Sequence, residues 1–408
     1  MSDLQAIGAL SSKEAEQRAQ RFPIGATISL DDLGASECEL LLDRLREYEP
    51  VSWLPSLGGW LITERETARS LLRPRSDVTV QSRQNMVRAS LGRMMLTVDT
   101  AEHDRMRRPL EGPFRPREVE DRFAAYVRDL ANQLIDTFDA DGEVDVVTGF
   151  ASKYAVQTAG HVIGLELGDA ALINDFYADF AGAMEYAGDP EPLRRADLAR
   201  GRLDDLLRVS LASPTSADSL ARAVLIDESN DLSEEELIAQ LRVIMFGAVE
   251  TIQASITNTL LLLQLNPSAA SEISAERTLL ANAVDESLRM IPPVAFIERW
   301  SKEPMQLGAV AIGAREFIGI SVIAANRDPG TFERPHSFDL HRSNSLRALS
   351  FSFGEHHCLG FHLARLQTTI ALDQLHRRLG ALTLVDHRAP EGFAFRRPAS
   401  LRLRWTPH

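Results

Sequence analysis

Phe351-Ser-Phe-Gly354-Glu-His356-His357-Cys358-Leu-Gly360 sets one of the chain's two cysteines between closely spaced glycines. Leu359, Leu363, Leu366 and Ile370 follow at spacings of four, three and four, the period of a helix. The cysteine therefore sits at the end of a Gly-rich loop, just before a helix N-terminus. Free N–H groups and the positive dipole end favour an anion there, which predicts an acidic thiol, the alternative being a buried small hydrophobe. Glu250-Thr251 places a carboxyl and a hydroxyl next to Gly247-Ala248 in mid-helix, either as a functional pair or as an incidental polar pair on the helix. His103 and Arg107 are four apart, so a helix puts both donors on one face, which suits an anionic partner or, equally, a solvated basic surface. Glu286 and Arg289 are spaced for an i,i+3 ion pair.

These residues need long helices to position them, and the sequence supplies them. Ser233-Glu-Glu-Glu236 is a capping box. Leu237, Leu241, Ile244, Met245, Ala248, Ile252, Ile256, Leu260 and Leu263 then keep helical period until Asn266-Pro267 stops it. Such a helix crosses a whole domain. A glycine at its centre costs about 1 kcal/mol relative to alanine, a cost that close approach of a flat ligand or a local widening of the helix would explain. Helices are also predicted over 37–48, 65–72, 117–138, 144–165, 170–186, 191–211 and 282–290. Gly188-Asp-Pro190 makes the 170–211 pair a candidate lid. Val51 to Thr63 reads as a β-hairpin turning at Gly58-Gly59, short strands follow Pro293, and Phe393 to Trp405 reads as a second hairpin. Residues 73–100 read as a long loop.

The chain has 408 residues, 44% hydrophobic and 25% charged, which allows one large domain with a sizeable core. Residues 1–25 read as a poorly ordered extension of it. A formal charge of −14 argues against nucleic-acid binding. With no apolar run of 18 residues and no signal-like N-terminus, no membrane anchor is expected and the location reads as cytoplasmic. Two cysteines provide no disulfide framework and no CxxC metal pair.

The order and spacing of these pieces resemble the cytochrome P-450 family. Phe351-x-x-Gly354-x-x-x-Cys358-x-Gly360 resembles its haem-thiolate loop, and Glu286-x-x-Arg289 its helix-K pair, with Arg342 as third member. Gly247-Ala248-x-Glu250-Thr251 resembles the oxygen-activating centre of helix I, with Gly and Ala exchanged. Glu102-His103-x-x-x-Arg107 is similar to helix C of soluble bacterial members. Ser352 and His357 depart from the usual loop. The resemblance runs from about residue 40 to the C-terminus. It implies a single, mainly α domain with a small β region and haem b between helices I and L.

The resemblance also implies roles. Cys358 would be the axial thiolate, which favours O–O cleavage. Phe351, Gly354, Gly360 and Ala248 would shape the haem's surroundings. His103, Arg107, Arg299 and His356 would pair with its propionates. Thr251 and Glu250 would relay protons, and Glu286, Arg289 and Arg342 would be structural. The implied reaction is RH + O2 + two electrons + two protons giving ROH + water. Electrons would come from a separate ferredoxin or flavodoxin and its reductase, since no flavin or iron–sulfur pattern occurs. Arg105, Arg108, Arg115 and Arg117 would form the docking patch. The substrate would be a lipophilic small molecule contacting Met86, Phe180, Met184, Phe246, Val294, Ala295, Phe296 and Ala399. A haem sensor would share Cys358 without needing Glu250-Thr251. A zinc site of His356, Cys358 and His362 would lack a clear fourth ligand.

Overall fold

The structure is a computed structural model and describes residues 12–82, 84–165, 173, 176, 179–180, 190–214, 216–227 and 230–407. Its helices, in chain order, are α1 (Ser12–Arg21), α2 (Leu30–Gly34), α3 (Cys38–Tyr48), α4 (Arg65–Leu72), α5 (Met86–Leu91), α6 (Thr100–Glu111), α7 (Pro116–Ile135) and α8 (Ser152–Ile163). The second half adds α9 (Pro190–Ala212), α10 (Leu220–Ile226), α11 (Glu234–Leu265), α12 (Pro267–Ala275), α13 (Leu280–Met290), α14 (Val322–Ala325) and α15 (Phe361–Leu379). The strands are β1 (Val51–Leu54), β2 (Gly59–Ile62), β3 (Val78–Thr79), β4 (Glu143–Asp145), β5 (Phe296–Ser301), β6 (Met305–Leu307), β7 (Val310–Ile312), β8 (Phe317–Ser321), β9 (Thr383–His387) and β10 (Leu401–Arg404).

The chain is organised about α11, 32 residues long and so about 48 Å from end to end. Its start follows from the sequence. Ser233 Oγ accepts from Glu236 N–H, and the Glu236 carboxylate accepts from Ser233 N–H. Arg105 of α6 clamps the same carboxylate and, as the largest influence, holds its pKa down at about 2. Asn266 and Pro267 end the helix and start α12. The N-terminal half of α11 packs with α9, α10 and the lid residues Phe176 and Phe180. Its C-terminal half packs with α7, α8, α13 and α15. Among the described residues, α11 is the one helix long and apolar enough to cross a membrane, and 72% of its apolar window is buried inside the protein.

Five strands form the larger sheet in the order β1-β2-β8-β5-β3, while β4-β10-β9 and β6-β7 form smaller ones. The hairpin predicted at 51–63 pairs Val51 with Ile62 and then adds β8 in parallel to β2. Three expectations change. The first two residues of the helix expected at 144–165 belong instead to strand β4, because β10 pairs Arg402 to Asp145 and Leu403 to Val144. The C-terminal segment is no hairpin on itself, since the partner of β10 on its other edge is β9, from 383–387. The 73–100 loop contains α5, six residues capped by Asn85 Oδ1 on Arg88 N–H and too short to show a period.

Residues 12–25 are also ordered, against the expectation for 1–25. The Arg18 guanidinium lies 4.5 Å from the Trp53 ring and 5.0 Å from Trp60, and it donates to Glu316 at 2.5 Å. Trp60 Nε1 donates to the same carboxylate at 2.6 Å. The lid pair is described only in part, and Met184 lies outside the described residues.

Candidate active site

Cys358 stands three residues before α15, whose N-cap is Gly360. Its N–H donates to Phe351 O at 2.9 Å, closing the loop on itself, and the Phe351 ring meets Phe361 edge-on at 4.8 Å. Gly354 makes the turn with φ +73°, and a Cβ there would collide with the Leu72 carbonyl and stand 3.0 Å from Arg73 Cα. Glycine is the residue the site accepts. Ser352 takes a similar left-handed φ of +61° without that freedom, and its buried Oγ has no hydrogen-bond partner.

The thiol itself is exposed, although the loop lies inside the protein. Its exposure within the fold marks a gap beside it, and α11 packs against the same stretch of chain. Gly247, mid-way along a helix otherwise largely buried, is exposed, and a Cβ built on it meets no atom within 4 Å. Leu359 and Leu363 of the cysteine side pack in one apolar cluster with Phe246, Ala248 and Val249 of α11, so the two walls belong together. The glycine that costs helix stability thus makes room for something that is not protein. The acidic thiol expected at a helix N-terminus is not what the surroundings produce. Burial pushes the Cys358 pKa up, while a Gly360 N–H and the Arg107 charge pull the other way. Metal ligation would deprotonate it outright.

The expected anion-binding residues gather at one edge of this gap. His103 and His356 meet edge to face at 4.7 Å between centroids. Arg299 and His356 line a shallow cleft with Asp99 and Glu355. Arg299 Nη1 donates to Glu298 O at 2.8 Å, but its buried Nη2 has no hydrogen-bond partner, and neither has buried His356 Nε2. Burial lowers the Arg299 pKa to about 10 and that of His356 to about 4. Arg299 Nη2 is a desolvated donor left open, beside a His356 Nε2 that has only Asp99 Oδ1 near it at 3.5 Å, and an open buried guanidinium fits the carboxylate-bearing edge of a haem. Arg107 divides its guanidinium, giving Nη1 to His357 O at 2.7 Å and Nε to Glu111 at 2.8 Å, so it braces the cysteine loop as well.

Glu286, Arg289 and Arg342 form a closed network. Arg289 makes two 2.8 Å bonds to Glu286, and Arg342 Nε adds a third at 2.8 Å. Ser345 Oγ and Asp339 N–H complete the carboxylate's shell. On α11, Thr251 Oγ1 donates to Gly247 O at 2.5 Å, and Glu250 Oε1 accepts from Arg397 Nε at 2.6 Å.

The expected substrate residues that are described fall in two groups. Phe180, Phe246 and Phe395 form a ladder, with centroids 6.4 and 5.8 Å apart, and Val294 bridges to Phe395. Phe296 instead packs on Phe317 and Phe393, and Ala295 is buried against α14. Met86 is half-buried at the start of α5, and Ala399 is exposed. Sequence reasoning missed Asp99, Glu355, Phe395 and Arg397; only long-range contacts bring them in. Asp99, Glu355 and His356 are the one group among the described residues whose ligand atoms converge as for a metal, so the zinc set with Cys358 and His362 is not assembled.

Comparison with known proteins agrees with this geometry. The cytochrome P450 family profile matches residues 210–383. A mycinamicin IV hydroxylase/epoxidase of Micromonospora griseorubida is 30% identical over 382 residues, spanning 88% of this chain and 94% of its own. A 20-oxo-5-O-mycaminosyltylactone 23-monooxygenase of Streptomyces fradiae is 27% identical over 83% of this chain and 81% of its own. The crystal structure of P450BioI with an acyl carrier protein bearing hexadec-9Z-enoic acid superposes with a TM-score of 0.83 at 26% identity. It covers 92% of this chain and 99% of that one. The chain belongs to the cytochrome P450 family. It is a monooxygenase, and its cofactor is haem iron.

Proposed function

We propose that Cys358 is the axial ligand of haem b, held between α11 and α15, and that Arg299, His356, His103 and Arg107 receive the propionates. The observation that carries this is the gap whose two walls are an exposed, protein-enclosed thiol and a mid-helix glycine with nothing above it. When bound, haem supplies oxygen activation and electron acceptance. The chain's own part is to hold Cys358 in its closed loop, to seat the substrate and to bring protons through Glu250 and Thr251. Thr251 donates to the helix at rest, so its hydroxyl must turn from Gly247 O to serve the gap. Phe351, Gly354, Gly360 and Ala248 shape the haem's seat, and Glu286, Arg289 and Arg342 hold the fold behind it.

The substrate is a lipophilic small molecule, because the Phe180–Phe246–Phe395 ladder lines its side with aromatic rings. Oxidation is by hydroxylation or epoxidation. Electrons arrive from a ferredoxin or flavodoxin and its reductase. Arg108, Arg115 and Arg117 are exposed and form the docking patch, whereas Arg105 is committed to Glu236. The whole chain works as one domain in the cytoplasm, where two unpaired thiols stay reduced.

The test is the absorption spectrum of reduced protein under carbon monoxide. A strongly red-shifted Soret band is expected for the native protein, and its loss in Cys358→Ser. A native protein without that band refutes the thiolate assignment. Charge reversal at Arg108 that leaves reduction rates unchanged removes it from the docking patch.

A further inference from the structure

Glu250 does not project freely into the gap. Its Oε1 is taken by Arg397, 147 residues away, in an ion pair whose side chains are 20% and 25% exposed. Arg397 also donates from Nη1 to Pro398 O at 3.2 Å, so the guanidinium lies back along its own turn as it reaches α11. That turn is firmly placed. Asn258 of α11 donates to Arg396 O at 3.0 Å and to Ile291 O at 3.1 Å, and Arg396 N–H donates to Pro293 O at 2.9 Å. The Arg396 side chain is fully buried and spends its donors on the carbonyls of Gly34, Ala35 and Ser36. Ala295 N–H donates to Ala394 O at 3.0 Å. The backbone bearing Arg397 is thus fixed to α11, to the residues before β5 and to the N-terminal region. What remains to move is the Arg397–Glu250 link itself.

We infer that Arg397 is a positioning residue for Glu250, setting the aim of its carboxyl from the same turn that carries the substrate-side Phe395. This rests on Glu250 serving as the proton donor. A bidentate-capable arginine fixes a carboxylate in angle as well as distance, which lysine's single ammonium does not. A carboxyl that must first release Arg397 hands on a proton only when that side-chain link opens. A substrate packed on Phe395 lies two residues along the chain from that link. Proton delivery and occupancy of the aromatic ladder are then linked through one side chain.

The experiment uses the haem-loaded full chain with a plant-type ferredoxin, its reductase and NADPH, without substrate. It compares Arg397→Gln, Arg397→Lys, Glu250→Gln and the Arg397→Gln/Glu250→Gln double variant. The readouts are oxygen consumption, its division between peroxide and water, the solvent deuterium isotope effect, and amide exchange over residues 391–400 in the resting protein. Arg397→Gln is expected to change oxygen consumption by about tenfold, less than the roughly 10²–10⁴-fold that a positioned acid contributes because the acid itself remains, and to shift the products toward peroxide. Arg397→Lys should restore part of this. The double variant should match Glu250→Gln alone, and exchange over 391–400 should rise equally in both single Gln variants.

If the two Gln effects multiply, or Arg397→Gln leaves the peroxide share and isotope effect at native values, the inference is overturned. If Arg397→Gln fails to fold, Arg397→Lys with a native peroxide share also overturns it. Native behaviour of Glu250→Gln would instead refute Glu250 as proton donor, and so tells the two failures apart.

Discussion

Glu286 and Arg299 are both buried charges within the same fold, yet their surroundings differ in kind. Glu286 has two arginines, a hydroxyl and a backbone N–H on its two oxygens, and its main partner Arg289 sends its other bonds to the carbonyls of Asn326, Pro335 and Ser337. Arg299 has one backbone carbonyl and an Nη2 with no hydrogen bond, beside a histidine in the same condition. A network that holds a fold together can be finished with protein atoms. A network built to receive an anionic ligand has to leave donors open, and the free protein bears the desolvation cost. The lowered pKa of Arg299 records that cost: its folded state disfavours the charge, so stability is reduced throughout the pH range below about 10.

The contrast breaks most visibly at Glu286. Glu286→Ala leaves Arg289 and Arg342 as buried, unpaired charges, with an expected loss of about 3–5 kcal/mol. That is a large part of the stability of an ordinary domain. Urea unfolding should show the loss even without haem. Little change there would place the network's worth elsewhere.

Arg299→Gln should separate holding the fold from holding the ligand. Removing a desolvated charge with an open donor should leave the haem-free protein as stable as before or firmer. Haem should be lost faster, by about tenfold for one charge-assisted bond. Urea unfolding of haem-free protein and the rate of haem transfer to excess apomyoglobin measure the two sides. Equal destabilisation in Arg299→Gln and Glu286→Ala would erase the distinction drawn between the two networks.

How far the sequence discloses the site depends on the same distinction. The Glu286–Arg289 pair and the Ser233–Glu236 cap are local, at spacings of three, and the structure shows both. His103 and Arg107 share a helix face for the same reason. The strand at 143–145 was hidden, because Val144, Val146 and Val147 fit a helix until β10 claims the backbone. Arg396 and Arg397 are adjacent and alike in sequence. One is buried among three backbone carbonyls from residues 34–36 and the other reaches Glu250, a division that only tertiary contacts make. The cysteine loop is legible as a Gly-rich turn into a helix, and its resemblance to the haem-thiolate loop supplies the ligand role, but the direction of the thiol's pKa is not legible. Helix-end position is local, whereas burial is set by the whole fold.

A smaller effect is expected at Gly247. A methyl there touches no protein atom, so Gly247→Ala should stabilise haem-free α11 by about 0.8–1 kcal/mol. The same methyl stands in the gap. With haem present, the Soret position or substrate affinity should change while urea unfolding of the haem-free protein shows the gain. A stabilised protein with an unaltered spectrum and unaltered ligand binding would mean that the space above Gly247 serves no ligand.

The smallest change separates two neighbours in the cysteine loop. Ser352 and Gly354 both have positive φ, at +61° and +73°. At Gly354 a side chain meets the backbone of Leu72 and Arg73, so Gly354→Ala must push α4's end away and should loosen the loop. At Ser352 a side chain is already present, in a left-handed conformation that costs roughly 1–2 kcal/mol for a non-glycine residue. Its hydroxyl is buried without a partner. Ser352→Gly removes both penalties but adds about 0.5–1 kcal/mol of unfolded-chain entropy. Counting the two backbone effects alone, the net gain is about 0–1.5 kcal/mol, seen as a rise in thermal midpoint of no more than about 2 °C. Opposite signs at positions 352 and 354 would show that the loop's backbone shape, and not glycine content as such, presents Cys358. A fall at both would mean that the Ser352 hydroxyl has a partner once haem is bound.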